Sequence, residues 1–280
     1  MKILILGSKG MLGSDICSVL SNEELSCWDQ EELDITDEQQ VIQKITDLNP
    51  KIVINPAAFT DVDGCETNKD LAFQVNGTAV KYIAEVCKKI NSKLIHFSTD
   101  YVFDGSDKDG YKEDDHPKPI NVYGESKLMA ENHIRDVFGD EGNYAIIRIS
   151  FLFGKNGDNF IEKILKRVKF LQERGSNEPL KVVDTQLSCP TYTLDLAKRI
   201  PDFFSEKLKG TFHLTNKGAV TKYEFVKEIL KIKALNIELL PAKESDFPLP
   251  AKRPAFSELI NTKIPYLRDF KDALKTYLTK

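Results

Sequence analysis

Tyr123 and Lys127 stand four residues apart in Asn121-Val-Tyr-Gly-Glu-Ser-Lys127, with Thr99 upstream in Ser98-Thr-Asp-Tyr-Val-Phe-Asp-Gly105. On a helix that spacing puts both side chains on one face, where an ammonium can stabilise a developing phenolate. A free phenol has a pKa near ~10, so a neighbouring cation is needed to bring it into a useful range for proton transfer near neutrality. Thr99, a hydroxyl at the end of an apolar run, is suited to hydrogen-bond a carbonyl oxygen that Tyr123 protonates, although a buried threonine also serves simply to satisfy backbone groups. Taken alone, Tyr-x-x-x-Lys is a common spacing. The start of the chain gives it weight. Gly7, Gly10 and Gly13 follow the apolar run Ile3 to Leu6, with Lys9, Met11 and Leu12 in the same loop, and they open a predicted helix over Met11–Leu20. Small residues there let backbone approach a pyrophosphate, and a helix N-terminus favours its charge. An ordinary glycine turn is the alternative. A hydride carrier beside a proton donor implies reduction of a carbonyl with a nicotinamide cofactor.

These groups need a scaffold, and the first 150 residues supply the right alternation of elements. Strands are predicted at Lys2–Leu6, Glu24–Trp28, Lys51–Ile54, Lys93–Ser98 and Tyr144–Ile149, with helices at Met11–Leu20, Asp37–Asp47, Asp70–Ile90 and Val122–Phe138. Thr36 reads as the N-cap of the second helix, with Gln39 at the reciprocal capping-box position. The fold class expected is α/β, a Rossmann-type doubly wound parallel sheet, with a smaller C-terminal α/β substrate-binding lobe. The division predicted is residues 1–150 for the dinucleotide and 151–280 mainly for the substrate, with some later segments returning to the sheet. In that second part, helices are predicted at Asn159–Arg174, Lys222–Lys231 and Tyr266–Leu278, and strands at Gly210–Leu214 and Ile237–Leu240. The polar stretch Asp107 to Pro117 reads either as a flap or as a solvated loop.

In a doubly wound sheet, ligands belong at the carboxyl ends of the strands. Asp29 follows the second strand, where a carboxylate accepts from ribose hydroxyls and repels a 2′-phosphate, so NADH is favoured slightly over NADPH. Asp29, Gln30, Glu31 and Glu32 read equally well as a solvated acidic turn. Asp34 and Ile35 are candidates to lie against the adenine. After the third strand, Ala57, Ala58 and Thr60 permit close approach to a cofactor, and Asn76 and Ser98 complete the cofactor-side candidates. Arg253, just before Pro254, has the fork geometry to hold a diphosphate, or is a surface arginine.

Composition narrows the classes. The chain has 280 residues, is 41% hydrophobic and carries a net charge of −4, so it can bury a large core and has no basic footprint for nucleic acid. No apolar stretch approaches the ~20 residues of a membrane span, and Met1-Lys2 runs straight into a strand, so a cytoplasmic protein is expected. The 5 cysteines are scattered without Cys-x-x-Cys, which argues for reduced thiols, and the 4 histidines show no ligand spacing, so no metal is predicted. A small-molecule partner is expected, and a homodimer is compatible with the sequence.

With these residues assembled, the chain resembles the extended short-chain dehydrogenase/reductase superfamily, and within it the dTDP-4-dehydrorhamnose reductase family. The marks are Gly7-Ser-Lys-Gly-Met-Leu-Gly13, Leu33-Asp-Ile-Thr-Asp37, Ser98 to Gly105, Asn121 to Lys127, Val182-Val-Asp-Thr-Gln186, Pro190-Thr-Tyr-Thr-Leu-Asp-Leu-Ala197, Gly210-Thr-Phe-His-Leu-Thr-Asn216 and Arg253-Pro254. The resemblance implies Thr99, Tyr123 and Lys127 as catalytic residues, Lys127 also holding the nicotinamide ribose, and a dTDP-linked 4-keto-6-deoxyhexose as substrate. It further implies Val62, Asp63, Thr99, Asp100, Tyr101, Phe103, Phe151, Gln186 and Arg253 on the substrate side. Three positions depart from the family pattern: Ile149-Ser150-Phe151 stands for Thr-Ser-Trp, Ser188 for a glycine, and Asn55-Pro56 for Asn-Ala. The same fold also serves nucleotide-sugar epimerases and dehydratases, and a non-catalytic regulatory subunit such as the beta subunit of methionine adenosyltransferase; the intact Thr99, Tyr123 and Lys127 argue against the latter.

Overall fold

The computed structural model describes residues 1–139 and 142–279. Its centre is a six-stranded parallel sheet of β1 (Lys2–Leu6), β2 (Glu24–Trp28), β3 (Ile52–Asn55), β4 (Lys93–Thr99), β5 (Tyr144–Ile149) and β10 (Gly210–His213), in the order β10-β5-β4-β3-β1-β2. Every residue of β3 and β4 is buried, as parallel strands covered on both faces require. Helices α1 (Met11–Val19) and α8 (Thr193–Arg199) pack on one face, around Ile3, Ile5, Ile54 and Ile147. Helices α2 (Glu38–Leu48), α5 (Ala79–Lys89) and α6 (Val122–Phe138) pack on the other, around Leu4, Val53, Leu94 and Ile146. The chain goes from β1 outward to β2, then crosses to β3 on the far side of β1. The switch point therefore lies between β1 and β3, where ligands of this architecture bind.

The expected doubly wound sheet is present, and the predicted strand from Gly210 does return to it, pairing with β5. The other elements after β5 form short two-stranded ladders: β6 (Leu152–Phe153) with β9 (Thr191–Tyr192), β7 (Leu180–Val183) with β13 (Leu239–Ala242), β8 (Leu187–Ser188) with β12 (Val220–Thr221), and β11 (Asn216–Lys217) with β14 (Leu267–Asp269). Helices α7 (Phe160–Glu173), α9 (Lys222–Ile232) and α10 (Phe270–Leu278) bury their apolar faces against these ladders.

Four local expectations shift. The helix predicted over Asp70–Ile90 is broken into α4 (Lys69–Phe73), a π-helical turn at Gln74–Thr78, and α5, and a further short helix, α3 (Val62–Thr67), precedes it. The wide turn directs Asn76 inward, where it bonds both backbone groups of Phe59 at 2.8 and 3.0 Å and the Ser126 hydroxyl at 3.0 Å. The cap of α2 is Asp37, whose carboxylate accepts from the Gln40 amide at 3.0 Å, because Thr36 is engaged by Asp34. The last helix begins at Phe270 instead of Tyr266, since Leu267–Asp269 pairs as a strand and Asp269 caps the helix. The polar stretch after Gly105 is stitched to the C-terminal segment: Tyr111 exchanges backbone bonds with Glu258 and Ile260, and the buried Glu113 accepts from Thr262. All five cysteines are free thiols; the Cys17 and Cys27 sulfurs lie 2.7 Å apart. Among the described residues no helix is long and apolar enough to cross a membrane.

One buried ion pair fixes α6 against the sheet. Glu131 is fully buried, and its two oxygens accept from Arg148 of β5 at 2.9 and 2.7 Å, with Ser98 of β4 donating at 2.6 Å. Burial pushes the Glu131 carboxyl up, but Arg148 overrides it and holds the pKa at about 2. A carboxyl depressed below its unfolded value stabilises the fold above the unfolded pKa and loses that contribution as the pH falls through the folded one. Glu131→Gln is therefore expected to cost about 3–5 kcal/mol near pH 7, because it leaves Arg148 buried without its charge partner. The difference from wild type should shrink as urea melts are moved from pH 5 towards pH 2. A difference that stays constant over that window would show that the ion pair does not carry it.

Candidate functional site

A cavity of about 950 Å3 runs across the carboxyl ends of β1, β3, β4 and β5 and on to the C-terminal segments. At the switch point the chain turns with Gly7 at φ +68°, and a Cβ there would stand 2.8 Å from the Ala57 Cα. At Gly13 a Cβ would meet the Gly7 carbonyl oxygen at 2.1 Å, so helix α1 starts hard against the loop only because residue 13 has no side chain. Gly7, Lys9, Gly10, Met11, Leu12 and Gly13 all line this end. Asp29, Asp34, Ile35, Ala57, Ala58 and Thr60 line it too. Asp29 is partly engaged, accepting the Lys9 and Gln30 amides at 2.9 Å each, while the Lys9 ammonium is ion-paired with Glu31.

The other half of the cavity is lined by Ser98, Thr99, Asp100, Tyr101, Tyr123, Lys127, Val62, Phe151 and Gln186. Helix α6 begins at Asn121, whose side chain accepts from the Gly124 amide, so Tyr123 and Lys127 fall in its first two turns on the face towards β4. Asp100, at the end of β4, is buried, and its carboxylate accepts from Ser257 at 2.6 Å, Ser150 at 2.9 Å and Thr99 at 3.1 Å. Burial raises its pKa to about 6 against those hydrogen bonds. The single hydroxyl proton of Thr99 is thus turned to Asp100, and its oxygen accepts the Tyr101 amide at 3.1 Å. To steer a ligand carbonyl, Thr99 has to redirect that proton.

Lys127 is arranged otherwise than the four-residue spacing implied. Its Nζ lies 3.2 Å from His96 Nε2, and His96 Nδ1 lies 3.2 Å from the Asn55 side-chain nitrogen. The Asn55 oxygen accepts the Ala57 amide at 3.2 Å, which orients the side chain. A neutral imidazole offers one acceptor nitrogen, so His96 accepts either from Asn55 at Nδ1 or from the Lys127 ammonium at Nε2. The second tautomer turns the ring proton towards Asn55, which must rotate and give up Ala57 to accept it. The charge on Lys127 is thus coupled to the loop lining the switch point. Burial lowers Lys127 to about 8 against the Glu131 carboxylate, and burial followed by the Lys127 charge lowers His96 well below its usual value. The Tyr123 phenol is not depressed: burial, then Asp100, raises it above the ordinary tyrosine range, with a Thr99 hydrogen bond acting the other way.

Four sequence candidates lie off the cavity wall. Asn76 braces the Phe59 backbone against α6. Phe103 is fully buried, stacked on Tyr111 at 4.2 Å and covered by Arg148. Asp63 and Arg253 occupy each other: both guanidinium nitrogens reach the carboxylate at 2.6 Å, and one also meets the Ala251 carbonyl at 2.6 Å. Arg253 therefore presents no free fork to a diphosphate. Conversely, reading by motif missed Lys222 and Ser257 on the wall and the His96 and Asn55 pair behind it. In the sequence, Lys222 stands only as the first residue of a predicted helix. His96 has the signal of a polar residue inside a strand that is otherwise buried throughout. Among the described residues no cluster of His, Cys, Asp or Glu is suited to a metal.

A parallel sheet with a glycine cradle at its switch point and a Tyr-x-x-x-Lys helix beside it defines the class as a Rossmann-type nucleotide-dependent oxidoreductase scaffold. The RmlD substrate binding domain family matches residues 1–280, and the chain belongs to that family. It is similar to the dTDP-4-dehydrorhamnose reductase of Aggregatibacter actinomycetemcomitans, 36% identical over 278 residues, 94% of this chain and 92% of that protein. Among solved structures, a dTDP-4-dehydrorhamnose reductase from Clostridium acetobutylicum superposes with a TM-score of 0.93 at 36% identity, covering 100% of this chain and 99% of that one. The Bacillus anthracis enzyme of the same name, solved in complex with NADP, gives 0.92 at 32% identity, covering 99% and 98%.

The Lys127 environment makes a measurable statement. In protein labelled with 13C at lysine Cε, two resonances should titrate near pH 8 in the ligand-free state, well below the ~10.4 of surface lysines, because burial lowers both Lys93 and Lys127, and only one of the two should vanish in Lys127→Met. If the signal lost in Lys127→Met moves only above pH 10, the burial of Lys127 does not depress it.

Proposed function

We propose that this protein is a dTDP-4-dehydrorhamnose reductase, reducing the C4 ketone of dTDP-4-dehydro-L-rhamnose to dTDP-L-rhamnose at the expense of NADH or NADPH. The single observation that carries this reading is the placement of Thr99 and Tyr123 on the same cavity wall as the glycine cradle. Sequence similarity over the whole chain supports it. Residues 1–150 provide the cofactor half of the cavity and share the substrate half with the segments from Phe151 onward.

The cradle fits a dinucleotide: the space that a Cβ at Gly7 or Gly13 would fill is what brings loop backbone up to a pyrophosphate. Gly7 to Gly13 would hold the phosphates, Asp29 the adenosine ribose, and Ala57, Ala58 and Thr60 the far wall. Bound there, NADH or NADPH supplies the hydride. Tyr123 delivers its proton to the ketone oxygen as that oxygen gains charge. The raised phenol pKa keeps Tyr123 protonated until that moment. Thr99 turns its hydroxyl from Asp100 to the same oxygen and so fixes its position. Lys127, once protonated, balances the phenolate left on Tyr123. Asp29 would favour NADH, since a carboxylate lining that end of the cavity would repel a 2′-phosphate.

The direct experiment follows NADH and NADPH oxidation with freshly generated dTDP-4-dehydro-L-rhamnose and identifies the sugar product. Oxidation in step with dTDP-L-rhamnose formation is expected. Turnover without net loss of reduced cofactor would point instead to an epimerase or dehydratase. No turnover at all would favour an interaction subunit. Tyr123→Phe is expected to lower kcat by ~10²-fold or more with cofactor affinity nearly unchanged, because only the proton donor is removed. Full activity in that variant would sink the mechanism. For the cofactor, Asp29→Ala should shift the ratio of kcat/KM towards NADPH by roughly tenfold, or about 1.4 kcal/mol; an unchanged ratio would remove Asp29 from the choice.

A further inference from the structure

Among the described residues the cavity wall carries three cationic side chains, Lys9, Lys127 and Lys222. Lys9 is ion-paired with Glu31 at the adenosine end, and Lys127 is buried against His96. Lys222 differs from both. Its ammonium donates to the Gln186 side-chain oxygen at 2.7 Å, a neutral acceptor, and no ion pair to it is present among the described residues. Its backbone is held on both sides: Thr221 caps α9 with Glu224 in a reciprocal capping box, and β12 pairs with β8 so that Thr221 lies opposite Leu187. A half-buried ammonium with one neutral partner has lost water without gaining a counter-charge. The nearby Arg253 adds repulsion, and its own fork is closed on Asp63.

We propose that Lys222 binds the diphosphate of the nucleotide-linked sugar, with Gln186 holding the ammonium in place when the ligand is absent. The inference rests on the reading given under Proposed function, and deepens it. With the ketone carbon at Tyr123 and the glycine cradle taken by the cofactor, the ligand's diphosphate must leave towards the wall formed by Phe151, Gln186, Ser188, Lys222 and Ser257. That wall offers one unpaired cation. The approach would otherwise be hostile to a dianion, because Asp100 and Asp63 stand close enough to act on Lys222 and the protein as a whole carries −4. A lysine suits the role as a compact point charge that can pass from Gln186 to a phosphate oxygen without a planar docking geometry.

The test compares dTDP with thymidine by calorimetry, using wild type, Lys222→Met and Lys222→Arg at fixed ionic strength in the presence of NADP+. Lys222→Met is expected to weaken dTDP by ~10-fold or more and to leave thymidine unchanged, with most of the loss recovered in Lys222→Arg. In turnover, the methionine variant should raise KM and change kcat little. Equal weakening of dTDP and thymidine, or undiminished dTDP binding, would overturn the assignment of Lys222. Failure of wild type to bind dTDP at all would overturn the nucleotide-sugar reading on which it rests, and so is distinguishable from a failure of Lys222 alone.

Discussion

Tyr123, Lys127 and Glu131 recur every four residues along α6, so the face this helix turns to the sheet is polar where the core is otherwise apolar. Buried polar groups are tolerated only when each finds a partner. Glu131 finds Arg148 and Ser98, and Lys127 finds His96. All of these partners come from β4 or β5. A slip of one residue in the seating of α6 would strand several of them at once, so the demand for charge compensation sets the helix register, and with it the position of Tyr123. The ion pair at Glu131 is structural, yet it is what makes the first two turns of the helix usable for chemistry.

Asp100 plays the corresponding part at the end of the sheet. It joins three separate segments, through Thr99 beside it, Ser150 after β5, and Ser257 far along the chain. Ser150 in turn accepts the Cys189 amide at 3.3 Å, and the Ser257 backbone amide donates to the Leu187 carbonyl at 2.9 Å. The C-terminal segments are thereby closed over the cavity by contacts that centre on one carboxylate beside the Thr99 hydroxyl. That carboxylate also holds the Thr99 proton in the ligand-free state. The closure of the cavity and the readiness of Thr99 are consequently two aspects of one hydrogen-bond cluster.

The fold was legible where local pattern decides it. The central strands are continuous apolar runs bounded by turns, and α6 is bracketed by a capping Asn121 and a terminal Gly139, so their predicted bounds lie close to those observed. The glycine cradle and the Tyr123 to Lys127 spacing were legible because each is a local requirement of geometry. What escaped was set by partners distant in the chain. Asn76 turns inward through a π-helical turn because Phe59 and Ser126 await it, and Arg253 closes on Asp63, 190 residues away. The setting of Lys127 depends on Asn55 and His96 from two other strands, and no helical spacing can report it.

The substrate half of the cavity has two walls of opposite character, and Phe151 explains how they are kept apart. Its backbone sits at φ +41°, a conformation that a bulky residue adopts only at a cost of order 1–3 kcal/mol. The ring is held there by Phe160 and Phe225, with centroids 5.5 and 5.2 Å away, so aromatic packing offsets the strain. This presents an apolar surface on one side, while Gln186 and Lys222 face the cavity from the other. A ligand with an apolar edge at one end and a diphosphate in its middle has then one orientation that satisfies both walls. Where the family pattern places an indole, this chain keeps the flat apolar surface but loses the N–H donor. Discrimination on that side therefore rests on shape, and the polar side carries the directional contacts.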